Sequence, residues 1–164
     1  MDYRRQHGLS IRLARVFNMY GPRMHPSDGR AVSSFVMQAL QGEPLTIYRD
    51  GSQTRSFCYG DDMIDAFIRP MNVEEDPGGP INLGNSHEVS MGEIGESIVR
   101  TTRSASTLGF RPLPADDPWH RPPDIARART LLGWEPTALD FGLQLTADYF
   151  RQKLESATAT SPAY

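Results

Sequence analysis

The stretch "IRLARVFNMYGPRMHPSDGRAVSSFVMQAL", residues 11–40, reads as a strand, a loop and a helix in succession. Ile11 to Asn18 is β-branched and apolar enough for a buried strand. From Val32 the apolar residues Phe35, Val36, Ala39 and Leu40 follow at the spacing of a helix with one buried face, and Gly42 and Pro44 stop it. Between the two lies a loop with two prolines, two glycines, one histidine and two arginines, stiffer and more basic than a plain connection requires.

The same alternation continues outward. "GLS" before the strand is the turn out of a helix of which "MDYRRQH" is the last turn, and "LTIY" (Leu45 to Tyr48) is a short strand closed by "RDGS". Asp61 or Asp62 suits the cap of a helix in which Met63, Ile64, Phe67, Ile68 and Met71 recur at helical spacing. "INLG" is a strand of the buried kind, and Ser90 with Glu93 forms a capping box for a helix to about Thr101. "LGFRPLP" is extended, "ADDPWHRPP" a stiff loop, and "DIARARTLLG" a helix ended by Gly133. Thr137 and Asp140 offer a second capping box, with Leu143, Thr146, Ala147 and Phe150 on one face of the last helix. Residues 156–164 are small and polar and are expected to be a disordered tail, leaving residues 1–155 as one unit. Alternating strands and helices argue an α/β fold, yet three or four short strands without a complete crossover unit look like part of a parallel sheet.

Bulk properties exclude several functions. At 164 residues and 38% hydrophobic the chain is of single-domain size. Its formal net charge of −3 gives no general electrostatic case for nucleic acid or an anionic membrane, so an anion site must come from local arginines. The one cysteine, Cys58, excludes an intrachain disulfide and a cysteine zinc cluster, and four scattered histidines make no metal site. No apolar run approaches the roughly 20 residues of a membrane span, and the start lacks a signal peptide, so a cytoplasmic location is expected.

"RLARVFNMYGPRMHPSDGRAVSSFVMQALQGEPLTIYRDGSQTRSFCYGDDMIDAFI", "INLGN", "RPLPADDP", "RPPDIARARTLLGWEP" and "DYFR", in this order, resemble the C-terminal half of extended short-chain dehydrogenases acting on nucleotide sugars. Within that superfamily, "GPRMHPSDGR" and "GSQTRSF" are most similar to the UDP-glucuronate decarboxylases. The resemblance implies the last strands of a Rossmann-like parallel sheet plus a small C-terminal lobe that closes over the UDP-sugar. It also implies an NAD-dependent reaction in which UDP-glucuronate is oxidised at C4, loses CO2 and is reduced to UDP-xylose. The family's Gly-rich turn and Tyr-x-x-x-Lys pair are not found: neither Tyr3 nor Tyr20 has a lysine four residues on, and Lys153 is the only lysine. On this reading they lie upstream of Met1, the chain is inactive alone, and NAD is held mainly by the other half. Full-length relatives are implied to be homodimers, through helices mostly absent here.

The resemblance also implies roles for individual residues. Arg30 would clamp the glucuronate carboxylate beside the nicotinamide, because a guanidinium offers a planar two-point contact that lysine cannot copy. Its bland alternative is an exposed arginine paired with Asp28. Asn18 would bond the substrate near its diphosphate, Met19 and His25 would line the cofactor site, and Tyr3, Gln6 and His7 would reach the nucleotide sugar from a helix end. Otherwise Asn18 is a turn residue, His25 a solvated loop histidine, and the other three a frayed terminus. Arg55 and Arg121 are the implied diphosphate ligands, since burying two phosphate charges unpaired costs several kcal/mol. Tyr48 either flanks the uracil or packs as a strand aromatic.

Four departures from the family pattern stand out: Arg49 where glycine is usual, Gly60 where a β-branched residue is usual, Ser34 where asparagine is common, and "PWHRPP" in place of a more basic run. Three other readings remain. The lobe belongs to a nucleotide-sugar 4-epimerase or dehydratase, the chain is a noncatalytic nucleotide-sugar-binding module, or it is a remnant that does not fold alone.

Overall fold

In the computed structural model, residues 2–74, 78–112 and 123–160 are described. Helix α1 (Asp2–His7) leads through a turn into strand β1 (Ala14–Val16) and the two-residue strand β2 (Met19–Tyr20). The loop 21–30 then enters helix α2 (Ala31–Gln41). Gly42 ends that helix in the left-handed conformation that glycine adopts without a Cβ penalty, its N–H donating to Ala39 O. Strands β3 (Leu45–Tyr48), β4 (Thr54–Ser56) and β5 (Cys58–Tyr59) follow in quick succession and run directly into helix α3 (Gly60–Met71). Strands β6 (Ile81–Leu83) and β7 (Glu88–Ser90) precede helix α4 (Met91–Thr102), and strand β8 (Leu108–Arg111) follows it. Helices α5 (Ala126–Leu132) and α6 (Leu139–Thr160) complete the described chain.

The strands pair two by two. β1 with β6, β2 with β5 and β3 with β8 are parallel, whereas β4 with β7 is antiparallel. Each parallel pair is separated by helical crossover sequence, as parallel pairing demands. The expected α/β class with parallel strands is therefore present.

Among the described residues two apolar cores result. In the larger, α2, α4 and α6 bury Phe35, Val36, Ile94, Ile98, Leu143 and Phe150 against Leu45 and Ile47 of β3. The smaller gathers Met63, Ala66, Ile81, Leu83 and Trp134 between α3, β6 and α5. Tyr20 belongs to the larger core. Its ring meets Phe57 and Tyr59 edge-on, and its hydroxyl donates to Leu139 O at 3.0 Å.

The capping box at α4 forms as expected: Glu93 N donates to Ser90 Oγ at 3.1 Å, and Ser90 N donates to Glu93 Oε2 at 2.7 Å. Four expectations fail. The strand expected to be buried over Ile11 to Asn18 forms at Ala14–Val16 with all three residues exposed, since among the described residues only β6 lies beside it. Helix α3 is capped by Tyr59, because the strand β5 passes straight into it; Asp61 and Asp62 fall in the first turn, where their charge suits the helix dipole. Thr137 makes no cap for α6, because the helix begins at Leu139, two residues on, while the Thr137 N–H and hydroxyl both donate to Asp62. The tail expected from Ser156 continues α6 to Thr160, with the Ser156 hydroxyl donating to Gln152 O at 2.7 Å. A small, polar composition did not end a helix already 17 residues long by Glu155, since propagation adds one bond per residue once the nucleus exists. Residues 161–164 lie outside the described residues.

Candidate functional site

The ends of β1 and β4 and the start of α2 surround a cavity of about 980 Å3. Its polar wall is Asn18, Arg30, Tyr48, Gln53 and Arg55, and Phe17, Phe57 and Met91 are among its apolar residues. That volume lies at the upper end of the range for cofactor and ligand sites.

The loop 21–30 is braced from within, which accounts for its stiffening residues. Asp28 N donates to His25 O at 3.2 Å, Ser27 N donates to His25 Nδ1 at 3.1 Å, and Arg30 N donates to Asp28 Oδ1 at 3.0 Å. These bonds set Arg30 at the N-cap of α2, with no side-chain cap bond of its own. Its guanidinium is 58% exposed and stands 3.9 Å from Asp28 Oδ2, a contact worth at most about 1 kcal/mol.

Arg55 approaches from β4 and is held more firmly, Nη1 donating to Thr54 O at 2.8 Å. Asn18 sits at the junction of β1 and β2, where its carbonyl accepts from Cys58 N at 2.9 Å and fixes the strand end. Tyr48, the last residue of β3, is partly exposed on the cavity wall. Met19 lines the cavity from β2.

Sequence reading missed Gln53. Only 8% exposed, it accepts Met91 N on its backbone carbonyl at 3.0 Å, while its Oε1 is buried without a hydrogen-bond partner. An orphaned buried acceptor costs about 1–3 kcal/mol, so the site carries this amide at some expense. The available signal was its position two residues before Arg55, which sends both side chains to one face of an extended segment.

Asn18, Met19, Arg30, Tyr48 and Arg55 thus share one cavity. Tyr3, Gln6 and His7 do not: they project from α1 as exposed residues, with the Tyr3 and His7 rings 5.2 Å apart. His25 does not line the cavity either, since its Nδ1 serves the loop's own turn and the ring is exposed. Arg121 lies outside the described residues. Among the described residues no cluster of His, Cys, Asp or Glu could hold a metal ion, and no helix is long and apolar enough to cross a membrane.

Beside the cavity, burial pushes the Cys58 thiol up to about 12, with the Asp62 charge acting the same way. Burial likewise raises Tyr59, followed by its carboxylate neighbour Asp61, and raises Tyr20 well above the usual phenol range. These three groups are therefore neutral at physiological pH, and none is tuned to act as a base.

Residues 1–84 match the model of the NAD dependent epimerase/dehydratase family. UDP-glucuronic acid decarboxylase 5 of Arabidopsis thaliana is 49% identical over 154 residues, covering 93% of this chain and 45% of that protein. UDP-glucuronic acid decarboxylase 1 of Xenopus tropicalis is 46% identical over 93% of this chain and 36% of its own length. Among solved structures, UDP-glucose 4-epimerase of Thermotoga maritima bound to UDP-glucose superposes with a TM-score of 0.86 at 29% identity, over 93% of this chain and 50% of that one. The UDP-glucuronic acid 4-epimerase of Bacillus cereus, in complex with UDP-glucuronic acid and NAD, gives 0.82 at 32% identity, over 93% and 48%. The chain spans less than half the length of these curated relatives and about half of these solved structures.

Proposed function

The chain belongs to the NAD dependent epimerase/dehydratase family, and from that premise we propose that it is the nucleotide-sugar-binding part of a UDP-glucuronate decarboxylase, made of the last strands of a Rossmann-like sheet and the small substrate lobe. The observation that carries this reading is the presence of Arg30 and Arg55 on one ligand-sized cavity with Asn18, Tyr48 and Gln53. A nucleoside-diphosphate sugar presents a diphosphate, a base and, in UDP-glucuronate, a carboxylate. The cavity offers a cation for each anionic group and an aromatic face for the base.

In this reading Arg55 and Arg121 meet the diphosphate, and Tyr48 flanks the uracil. Asn18 bonds the substrate near the diphosphate, and the Gln53 amide turns to a ligand hydroxyl or N–H. Arg30 takes the sugar carboxylate in a two-point contact and fixes its plane until CO2 leaves. NAD, when bound, supplies reversible hydride acceptance. From this chain a thioether, Met19, and the Arg30 guanidinium suit the edge of a nicotinamide, and no Gly-rich turn is present to hold its diphosphate. The base and the bulk of the NAD site are supplied by the other half, so the isolated chain binds but does not turn over.

The carboxylate clamp favours the decarboxylase over the lobe of an epimerase or dehydratase acting on a neutral hexose, which offers Arg30 no sugar carboxylate. Incubation of the chain with UDP-glucuronate and NAD+ tests the reading: binding of the nucleotide sugar without formation of UDP-xylose is expected, and UDP-xylose from this chain alone would overturn the division of labour.

A further inference from the structure

Gln38 and Gln53 are treated oppositely by the fold. Gln38, on α2, spends both ends of its amide on one residue of β3: Nε2 donates to Thr46 Oγ1 at 3.0 Å, and Oε1 accepts Thr46 N at 3.0 Å. Gln53 is the more deeply buried of the two, yet its Oε1 meets no donor among the described residues. Its backbone is not free to bring one closer. The Gln53 carbonyl accepts Met91 N at 3.0 Å, and the turn before it is braced by Gly51 N donating to Tyr48 O at 3.3 Å and Gly92 N donating to Gly51 O at 3.0 Å. Within the same turn, Ser52 Oγ donates to Asp50 Oδ1 at 2.7 Å. A buried amide held in place without a partner is rare in a folded protein and calls for one from outside the chain. The braced turn presents Tyr48, Gln53 and Arg55 to the cavity in that order along the chain.

We infer that the Gln53 amide holds the ribose hydroxyl pair of the bound nucleotide and so selects for an intact ribose. This rests on the substrate-lobe reading above, which puts Tyr48 on the base and Arg55 on the diphosphate. A nucleoside diphosphate carries its ribose between those two groups, and Gln53 falls between Tyr48 and Arg55 on the turn. The hydrogen-bonding chemistry points the same way. Oxygens of an ionised diphosphate only accept, so they offer nothing to Oε1. The uracil N3–H only donates, and it lies on the ring edge away from the glycosidic bond. A ribose hydroxyl donates to Oε1, and its neighbour accepts from Nε2, so the pair completes this amide as Thr46 completes that of Gln38. Binding relieves an acceptor that the fold itself leaves unmet, and a deoxy sugar leaves it unmet.

Calorimetric titration of UDP, its 2′-deoxy and 3′-deoxy analogues and its N3-methyl analogue into wild type and Gln53→Met tests the inference. In wild type at least one deoxy analogue is expected to bind roughly tenfold or more weakly than UDP, the factor that one hydrogen bond to a buried group is worth. In Gln53→Met, similar in length but without the polar end, UDP and both deoxy analogues should bind alike. Equal binding of all three by wild type, or a deoxy penalty that persists in Gln53→Met, would overturn the inference. So would a penalty carried by the N3-methyl analogue alone, which would put the amide on the base. Thermal unfolding without nucleotide gives a second readout: Gln53→Met should melt higher than wild type, because it removes an unmet acceptor. A lower melting temperature would mean that the amide is bonded within the fold, contrary to the inference. Wild type that binds no UDP would overturn the substrate-lobe reading and this inference with it, whereas UDP binding indifferent to the ribose hydroxyls would overturn the inference alone.

Discussion

The Asp62 carboxylate holds the entrance to the last helix. Its Oδ2 accepts Thr137 N at 2.6 Å and its Oδ1 accepts Thr137 Oγ1 at 2.7 Å, while Trp134 Nε1 donates to the Asp62 backbone carbonyl at 3.0 Å. One aspartate thus ties α3 to the α5–α6 connection across 75 residues of sequence. Asp62→Ala should lower stability by about 1–3 kcal/mol, the cost of leaving a donor pair unmet. Chemical denaturation measures this, and addition of a divalent cation should change nothing.

Arg49 adopts φ of 55°, in the left-handed region. This is the position at which the family pattern has glycine, so the departure noted in the sequence coincides with backbone strain. The left-handed conformation costs a non-glycine residue about 1–2 kcal/mol, partly offset by glycine's greater entropy loss on folding. Arg49→Gly is expected to stabilise the chain by about 0.5–1 kcal/mol, read as a rise in melting temperature.

Gly142 exists for the sake of Tyr20. A Cβ at this position would clash with the Tyr20 hydroxyl and would stand 2.9 Å from the Tyr59 ring. Gly142→Ala should therefore cost about 1–3 kcal/mol despite alanine's better helix propensity, through overpacking and loss of the Tyr20 bond to Leu139 O. Denaturant unfolding of Gly142→Ala and of Gly142→Ala/Tyr20→Phe checks it: the second change should recover part of the loss.

Glu93 is held below the usual carboxylate range, first by the Ser90 backbone N–H and then by the Ser90 hydroxyl. A depressed pKa means that the folded state prefers the charged form. The stabilisation is complete above the unfolded value of about 4.3 and is lost as pH falls through the folded one. Stability measured from pH 7 to pH 3 should decline less steeply in Glu93→Gln than in wild type. An identical acid limb in the two would remove Glu93 as its source.

Much of this fold was legible because its signals are local. The helical spacing from Val32 to Leu40 and the Ser90/Glu93 box need only a few neighbouring residues, and both elements form where the pattern places them. Failures came where distant contacts overrode local preference: Thr137 looks like a cap, yet it is drawn to Asp62, 75 residues away, and α6 begins two residues later at Leu139. The site divides in the same way. Asn18, Met19, Arg30, Tyr48 and Arg55 stand near strand ends and a helix start, which the fold gathers together, whereas His25 is consumed by the geometry of its own loop. Gln53 stood inside "GSQTRSF", two residues before Arg55, but a neutral amide in that motif drew no notice, and its burial without an Oε1 partner reveals it.

The central claim is that Arg30 reads the carboxylate of an acidic nucleotide sugar in a cavity where Arg55 meets the diphosphate. Calorimetric titration of UDP-glucuronate and UDP-glucose into wild type, Arg30→Lys and Arg55→Ala tests it most directly. Wild type should prefer UDP-glucuronate by roughly tenfold, a charge-assisted two-point contact being worth about 1.5–3 kcal/mol. Arg30→Lys should erase most of that preference with little loss for UDP-glucose, and Arg55→Ala should weaken both ligands alike. Equal affinities of wild type for the two sugars, or a preference that survives in Arg30→Lys, would contradict the account.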